Sequence, residues 1–279
     1  MNDIKEKLKT LNSLTWCPGC NNFFILESVK RTLAKLIKEG ARQEDFAMVA
    51  GIGCHAKIFD YLNISGFYGL HGRALPTALG IKLGNPNLTV LGFAGDGDTF
   101  AEGMDHFIHS FRYNADMTLI VFNNKCFSLT TGQPAPTSQI GFKSKANPEG
   151  EYIKPINSIK LALASGATFV ARVGSRDLNF ISEIIEKAIK HKGFSYIEAM
   201  QECIIFSDKM KKSDLFYKVE DNHDLKKAAE LADEWDYGNE QGRIPLGVLY
   251  QTREETLEEK SPQLRKLKDK KIGWAGLDK

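Results

Sequence analysis

The sequence of 279 residues has neither a long hydrophobic run nor an excess of charge of one sign. No uninterrupted apolar stretch approaches the ~18 residues that a membrane-spanning helix needs, and the polar residues 2–12 do not have the apolar core of a signal peptide. The formal net charge is +2, a small difference between 37 basic and 35 acidic residues, so no bulk field favours nucleic acid or an anionic membrane. We therefore expect a cytoplasmic protein with neither nucleic-acid nor membrane partners.

Cysteine is also scarce, with five residues in the whole sequence. In a reducing compartment so few cysteines do not usually build a disulfide framework, and clustered ones indicate metal ligation or redox chemistry instead. Hydrophobic residues make up 42% of the sequence, and a chain of this length can bury a sizeable core. The positions of the cysteines are therefore informative about function.

The first two thirds of the sequence alternates between helical and strand patterns. Apolar residues recur at helical spacing over residues 26–36 and again over 104–111. Short apolar runs of strand length lie at residues 46–50, 88–94 and 117–122. The last two of these strands flank one helix as a βαβ unit requires, which predicts an α/β fold with a mostly parallel sheet flanked by helices.

The pattern changes in two places, within a long loop and near the end of the sheet-forming part. Residues 125–157 are rich in Gly, Pro, Ser and Thr, and a loop of this length inside a compact domain is usually functional, so we expect it near a ligand. From Ser207 onward the sequence is charge-rich and only weakly periodic. The prediction is one domain over residues 1–203 and an extended, charged C-terminal arm over residues 204–279 that packs on a partner subunit.

Gly95-Asp96-Gly97-Asp98 ends one predicted parallel strand, and Asn123-Asn124 ends the next. The glycines let backbone amides approach phosphate oxygens, and the following helix points its positive end at them. Mg²⁺ prefers oxygen ligands, so Asp96, the amide oxygen of Asn124 and a backbone carbonyl form half of a coordination shell. By itself the tetrapeptide is equally well a capped strand-to-helix turn, and it is the pairing with Asn124 that favours a metal–diphosphate site.

The cysteines also gather at predicted strand and helix ends. Cys17 and Cys20 precede the first amphipathic helix, where amides and the helix dipole favour thiolate. A Cys-x-x-Cys pair serves zinc sites, dithiol redox pairs and iron–sulfur clusters alike. Cys54 lies in a Gly-rich turn after one strand and Cys203 follows the last predicted strand, although a cysteine at a strand end is more often simply buried. Together the four sulfurs can meet above the sheet and hold one cluster.

Taken together, these motifs resemble the β subunits of the 2-oxoacid:ferredoxin oxidoreductases, which have a thiamine-diphosphate-binding fold. The resemblance covers roughly residues 11–250, and the segments that carry it are Trp16 to Cys20, Gly51 to Lys57, His71-Gly72-Arg73, Gly95 to Asp98 and Asn123 to Gln133. The resemblance implies three cofactors: thiamine diphosphate, Mg²⁺ and a [4Fe–4S] cluster.

The resemblance also implies a role for each matching residue. Asp96 and Asn124 become side-chain ligands of Mg²⁺, and Cys126 contributes its main-chain carbonyl. The [4Fe–4S] ligands become Cys17, Cys20, Cys54 and Cys203. The residues placed against thiamine diphosphate are Ile52, Gly53, Cys54, His55, His71, Gly97, Asp98, Ser128 and Leu129.

Substrate recognition is implied less completely. Lys57 corresponds to a position that can pair with the substrate carboxylate. The family often has Lys at the position of Thr131, so this sequence departs from the pattern in the Thr131-Gly132-Gln133 segment.

The function that the resemblance implies is oxidative decarboxylation of a 2-oxoacid, 2-oxoglutarate or pyruvate, with coenzyme A. The products are acyl-CoA and CO₂, and electrons pass through the cluster to ferredoxin. From the resemblance we expect a chain of this length to be without the pyrimidine-binding domain of such enzymes, so an α subunit should supply the activating glutamate and part of the substrate pocket. Two alternatives stay open: another thiamine-diphosphate enzyme half without a cluster, and a non-enzymatic iron–sulfur electron-transfer module.

Overall fold

A computed structural model describes residues 2–174, 176–206 and 212–276. Within these ranges one eight-stranded sheet and two short antiparallel ribbons are formed. The strands are β1 (Phe46–Ala50), β2 (Ser65–Tyr68), β3 (Thr89–Gly95), β4 (Met117–Asn123), β5 (Cys126–Phe127), β6 (Gln133–Pro134), β7 (Phe169–Gly174), β8 (Phe194–Met200), β9 (Phe216–Lys218), β10 (Trp235–Asp236), β11 (Gln241–Gly242) and β12 (Ile244–Gln251).

The main sheet has the strand order β2-β1-β3-β4-β8-β7-β12-β9. The six strands from β2 to β7 in this order are all parallel to their neighbours. β12 then runs antiparallel to β7, and β9 runs parallel to β12. The prediction of a mostly parallel sheet is confirmed, and the short ribbons β5–β6 and β10–β11 lie outside it.

Helices cover both faces of the sheet. The α-helices are α1 (Asn2–Lys7), α2 (Asn22–Lys38), α3 (Ile58–Tyr61), α4 (Ala74–Gly84), α5 (Asp96–Phe100), α6 (Met104–Tyr113), α7 (Ser158–Ala164), α8 (Leu178–Lys190), α9 (Leu225–Asp233), α10 (Leu257–Lys260) and α11 (Pro262–Lys270). Short 3₁₀ helices lie at Gln43–Asp45, Cys54–Lys57, Lys212–Leu215 and Trp274–Gly276. None of the helices in the described ranges has the length and apolar character needed to cross a membrane.

The hydrophobic core has two halves, one on each face of the sheet. Met48 and Leu91 pack with α2 and α8 on one face of the sheet. Their neighbours Val49 and Val90 pack with α4, α6, α7 and α9 on the other face. Because successive strand side chains point to opposite faces, strands that are buried on both sides read as continuous apolar runs, as β1 and β4 do.

The predicted boundary at residue 203 does not coincide with the edge of the domain. β12 pairs with β7 inside the main sheet, and its Ile244 and Val248 side chains are fully buried. Further along, the Leu264 and Leu267 side chains of α11 are also buried within this chain. The prediction of a separate arm was therefore wrong for much of residues 204–279. Residues 207–211, where the charge-rich stretch begins, lie outside the described part of the chain.

The sheet brings four strand ends together at one edge. β1, β3, β4 and β8 are adjacent and parallel, and their register pairs Ala50 with Phe93, Gly95 with Phe122 and Asn123 with Met200. Because the carboxyl ends of parallel strands meet at the same edge, the residues that follow these strands are neighbours in space. The segments that begin at residues 51, 96, 124 and 201 therefore build one site.

Candidate functional site

Four of the five cysteines meet around one cavity at this edge of the sheet. The cavity has a volume of about 170 Å³. The predicted site residues that line it are Cys17, Cys20, Cys54, Lys57, Asn124, Ser128, Leu129 and Cys203. All five cysteines are free thiols. The structure thus places Cys203 with the amino-terminal pair, although these residues are far apart in the sequence.

Trp16 attaches the Cys17–Cys20 turn to the strand-end segment. Its indole Nε1–H donates a 2.6 Å hydrogen bond to the carbonyl of Cys54. The ring is buried and makes edge contacts with Tyr61 at 4.8 Å and with Phe23 at 5.4 Å between ring centroids. These contacts hold the turn at a fixed distance from the end of β1, because an aromatic side chain packed on two rings has little freedom to move.

The electrostatics of the thiols indicate that the cavity suits a cation. Burial raises the pKa of Cys20, and the charges of Cys54, Cys17 and Cys203 raise it further. Burial likewise raises the pKa of Cys54, and the charges of Cys203 and Cys17 raise it further. Four thiolates therefore repel one another unless a metal centre neutralises them, and a coordinating thiol is deprotonated outright. This donor set fits a tetrathiolate site such as a [4Fe–4S] cluster or zinc.

Two buried amide oxygens near the cysteines have no hydrogen-bond partner. They are Oδ1 of Asn22 and Oε1 of Gln201, and both residues line the cavity. A buried polar atom without a partner costs free energy, so it commonly marks a place where a bound group or water belongs. We therefore expect a bound group or water in the cavity.

Cys126 is the fifth cysteine and does not line the cavity. It is buried at the start of the β5–β6 ribbon. A hydrogen bond with the Cys203 side chain and burial raise the pKa of its thiol far above the usual range. Its backbone N–H donates to Oδ1 of Asn124 at 3.2 Å. The thiol therefore stays protonated, and its predicted contribution to Mg²⁺ binding through the main-chain carbonyl stays a prediction.

Asp96 lies at the first position of α5 with its carboxylate buried. Burial raises its pKa to about 7, against hydrogen bonds from Thr137 and from the backbone N–H groups of Gly97 and Lys125 that lower it. The Thr137 hydroxyl donates to Oδ2 at 2.6 Å and lies 3.0 Å from Oδ1 of Asn123. Because Lys125 follows Asn124 directly, the carboxylate and the segment with the other predicted Mg²⁺ ligands lie side by side.

Asn124 occupies the boundary between the carboxylate and the cysteines. Its Nδ2–H donates to Oγ of Ser128 at 3.1 Å, and its Oδ1 accepts the N–H of Cys126. The same side chain lines the cysteine cavity. The predicted Mg²⁺ ligands are thus close to the predicted cluster ligands, and oxygen donors of this kind fit Mg²⁺.

Asp98 and His55 form a second buried pair. Burial raises the pKa of Asp98 to about 6, while backbone N–H groups of Gly72 and Ile52 donate to the carboxylate and lower it. Burial lowers the pKa of His55 to about 3, so the ring is neutral. Nε2 of His55 lies 3.7 Å from Oδ2 of Asp98, and neither atom has a hydrogen-bond partner. Both atoms are available to a bound group.

His71 contacts an acidic residue that the sequence analysis missed. Its Nδ1 lies 2.7 Å from Oε2 of Glu102, and both side chains are exposed. The two segments touch at Gly72, where an added Cβ would lie 2.0 Å from the carbonyl oxygen of Glu102. His71, Asp98 and Glu102 together bring their ligand atoms within 4.8 Å of one another. Glu102 gave no signal in the sequence because a charged residue in the first turn after a helix is usually only solvated.

Glycines at the strand ends allow this close approach. A Cβ at Gly51 would lie 1.8 Å from Oδ2 of Asp98, and one at Gly97 would lie 2.3 Å from the ring of Phe127. Gly53 has φ of +146°, which favours glycine. Backbone at these positions is therefore packed as tightly as a diphosphate-binding turn requires.

Lys57 lies beside the cysteine cavity. Its Nζ donates to the carbonyl of Thr15 at 3.1 Å. Its predicted pairing with a substrate carboxylate stays a prediction, as does the contact of Leu129, which is half exposed, with thiamine diphosphate.

A buried ion pair contacts the end of β4. Nδ2 of Asn123 donates to Oε1 of Glu198 at 2.8 Å. Glu198 in turn accepts from Nε of Arg172 at 2.7 Å and from the Tyr237 hydroxyl at 2.8 Å. Both members of the Arg172–Glu198 pair are fully buried. The network connects the site to the segment after residue 235, which the sequence analysis had assigned to the arm.

The fold and this strand-end site define a thiamine-diphosphate-dependent enzyme domain. Residues 51–199 match the family described as thiamine pyrophosphate enzyme, C-terminal TPP binding domain. A solved structure of 2-oxoglutarate:ferredoxin oxidoreductase from Magnetococcus marinus, with 2-oxoglutarate, coenzyme A and succinyl-CoA bound, is similar with a TM-score of 0.86. The likeness covers 98% of this chain and 92% of that chain at 33% sequence identity.

Curated relatives identify the family within the thiamine-diphosphate enzymes. A 2-oxoacid:ferredoxin oxidoreductase subunit beta of Saccharolobus solfataricus is 39% identical over 88% of this chain and 86% of its own length. The 2-oxoglutarate synthase subunit KorB of Archaeoglobus fulgidus is 40% identical over 74% of this chain and 76% of its own length. The chain belongs to the 2-oxoacid:ferredoxin oxidoreductase β-subunit family, as the sequence motifs predict.

Proposed function

We propose that this chain is the catalytic β subunit of an enzyme that oxidatively decarboxylates a 2-oxoacid with coenzyme A. The products are acyl-CoA and CO₂, and electrons leave singly through a [4Fe–4S] cluster to ferredoxin. One observation carries the proposal: Asn124 lines the cavity formed by the four cysteines and also adjoins the residue that donates to the Asp96 carboxylate. Asn124 would therefore lie between the proposed metal–diphosphate site and the proposed cluster site.

The proposed cofactor ligands follow from these contacts. Asp96, Asn124 and the carbonyl of Cys126 would hold Mg²⁺ on the diphosphate, and Cys17, Cys20, Cys54 and Cys203 would hold the cluster. When bound, thiamine diphosphate supplies the electron sink for decarboxylation and the cluster accepts electrons one at a time. The other proposed contacts with thiamine diphosphate come from Ile52, Gly53, Cys54, His55, His71, Gly97, Asp98, Ser128 and Leu129.

This chain's own residues would orient and shield these groups. The start of α5, where the helix end favours negative charge, would lie against the diphosphate. The neutral ring of His55 and the buried carboxyl of Asp98 each offer an unpaired atom to a bound ring. Lys57 extends from the cavity wall and would meet a substrate carboxylate.

The substrate class rests on the solved relative. That structure has 2-oxoglutarate, coenzyme A and succinyl-CoA bound, and the Archaeoglobus fulgidus relative is named a 2-oxoglutarate synthase subunit. We therefore propose 2-oxoglutarate as the preferred substrate over pyruvate. An α subunit would complete the pocket and supply the glutamate that activates the aminopyrimidine ring.

Metal analysis of the anaerobically purified complex tests the cluster. We expect a brown protein with ~4 irons per chain, loss of iron in Cys203→Ser, and full iron in the matched control Cys126→Ser. A colourless protein that contains zinc would instead support the alternative of a thiamine enzyme half without a cluster.

Ligand binding and turnover test the remaining parts. Thiamine diphosphate with Mg²⁺ at a hundredfold excess over its dissociation constant should stabilise the protein by about 2.7 kcal/mol, and the absence of any thermal shift would support a non-enzymatic electron-transfer module. With the α subunit and a viologen acceptor, 2-oxoglutarate should be turned over faster than pyruvate. The isolated chain should have no activity, so turnover by this chain alone at the full rate would contradict the proposed α subunit.

A further inference from the structure

Ser128 lies between the proposed Mg²⁺ ligand and one of the proposed cluster ligands. Its Oγ accepts a hydrogen bond from Nδ2 of Asn124 at 3.1 Å. The same hydroxyl donates to Sγ of Cys54 at 3.3 Å. Since Nδ2 of an amide has only donors, the single hydroxyl proton of Ser128 is directed at the sulfur.

The backbone fixes this hydroxyl in place. The N–H of Ser128 donates to the carbonyl of Cys126 at 2.9 Å, and the N–H of Gly132 donates to the carbonyl of Phe127 at 3.0 Å. Ser128 therefore lies in a hydrogen-bonded turn that closes the β5–β6 ribbon. A donor held in this way needs no rearrangement to interact with charge on Cys54.

The contact between Ser128 and Cys54 has a defined electrostatic effect. A hydroxyl proton held against Sγ of Cys54 stabilises negative charge on that sulfur. The same electrostatics apply to a cluster, because reduction adds negative charge to the iron–sulfur core and its sulfur ligands. A donor aimed at a ligand sulfur stabilises the reduced form and raises the reduction potential.

We propose that Ser128 is a positioning residue that raises the reduction potential of the cluster by donating a hydrogen bond to Sγ of Cys54. The inference rests on the proposed function, since it requires a cluster at Cys54. It assigns to Ser128 a contact with the electron acceptor in addition to the predicted contact with thiamine diphosphate. The neighbouring Asn124 orients the hydroxyl, so the amide at the metal site and the sulfur at the cluster belong to one hydrogen-bond chain.

Redox titration of the purified anaerobic complex, followed by electron paramagnetic resonance, tests this role. In Ser128→Ala the reduced-to-oxidised ratio at a fixed potential should fall roughly tenfold, which for one electron is a decrease of about 59 mV. Ser128→Thr retains the hydroxyl and should restore the wild-type potential. Thr130→Ala is the matched control, because the Thr130 hydroxyl lies in the same turn but donates to Gln133, and its potential should not change.

The outcomes separate this inference from the proposed function. Wild-type protein without iron would remove the proposed function itself. Full iron with an unchanged potential in Ser128→Ala would overturn only the role of Ser128. A decrease that appears only with thiamine diphosphate bound would also overturn it, so each titration is run with and without that cofactor.

A second variant covers the case in which Ser128→Ala does not assemble its cluster. Ser128→Gly also removes the hydroxyl and should show the same decrease in potential. Loss of iron from both variants would contradict the inference, because Ser128 would then be required for cluster retention.

Discussion

Thr137 donates its hydroxyl hydrogen to Oδ2 of Asp96 over 2.6 Å, and both side chains are buried. The residues are 41 positions apart in sequence. A buried carboxylate tends to take up a proton because burial disfavours its charged form. Thr137 counteracts this tendency at the carboxylate that is the proposed Mg²⁺ ligand.

Replacement of Thr137 by valine should weaken Mg²⁺ binding. Valine has nearly the same shape but no hydroxyl, and a hydrogen bond to a charged group contributes about 1.5–3 kcal/mol, which corresponds to a roughly tenfold to hundredfold loss of affinity. Calorimetric titration of Mg²⁺ in the presence of thiamine diphosphate measures the effect. Thr137→Ser is the control and should bind nearly as the wild type does. Equal affinities in the valine and serine variants would contradict the prediction.

His191 should make folding sensitive to acid. Burial lowers its pKa to about 4 from the ordinary value of 6.5, so between these values the unfolded state takes up a proton that the folded state excludes. The contribution of His191 to the free energy of unfolding therefore decreases as pH falls from about 6.5 towards 4, and is constant above that range. After allowance for partial exposure of the ring, the loss at pH 5 should be about 1 kcal/mol.

Urea unfolding at pH 7 and pH 5 measures this dependence. His191→Gln should show a smaller decrease between the two pH values than the wild type. The exposed His109 offers a matched control, and His109→Gln should retain the wild-type decrease. An identical pH dependence in all three proteins would count against the assignment.

The buried Arg172–Glu198 pair should be far more important for stability than an exposed pair of the same kind. Arg172→Met leaves the Glu198 carboxylate buried without its cation, which should lower the free energy of unfolding by about 3–5 kcal/mol. Arg253 and Glu259 are also 2.7 Å apart but are partly exposed, so Arg253→Met should cost less than about 1 kcal/mol. Denaturant unfolding of both variants measures the two losses in the free energy of unfolding, and equal losses would contradict the prediction.

Thr131 has a strained backbone. Its φ of +81° is a conformation that β-branched residues rarely adopt, and the side chain is exposed. Thr131→Gly should relieve about 1–2 kcal/mol of strain, against about 0.5–1 kcal/mol of entropy that glycine loses on folding. A slightly higher melting temperature is expected. Thr130→Gly, at a neighbouring position with negative φ, should lower the melting temperature, and a decrease in both variants would show that strain is not the dominant effect.

Strong apolar runs allowed much of the fold to be predicted from the sequence. The strand predicted at 46–50 coincides with β1, and the helical pattern over residues 104–111 lies within α6. β2 was missed because its four residues are all exposed and show no alternation of burial. β12 was missed because Pro245 and Gly247 interrupt its apolar pattern. Gly247 has a positive φ and lies in a segment whose pairing register shifts nearby.

The site was predictable only as far as topology dictates proximity. Residues that follow adjacent parallel strands must be neighbours, which is why Asp96 and Asn124 were placed together from sequence. The loop over residues 125–157 was expected near a ligand, and its Thr137 does contact Asp96. Which loop residue makes that contact depends on the loop conformation, for which neither periodicity nor spacing gave a signal. Glu102 was missed because a charged residue just after a helix is usually only solvated.

The late position of the antiparallel strand β12 in the sequence has a consequence for truncated forms of the chain. Residues 51–199 match the cofactor-binding family, yet within the described part of the chain the outer edge of β7 pairs with residues 247–251. A polypeptide that stops near residue 203 would leave the β7 backbone groups open, and open strand edges recruit other chains. A chain truncated before β12, which begins at residue 244, should therefore aggregate rather than form a smaller working domain.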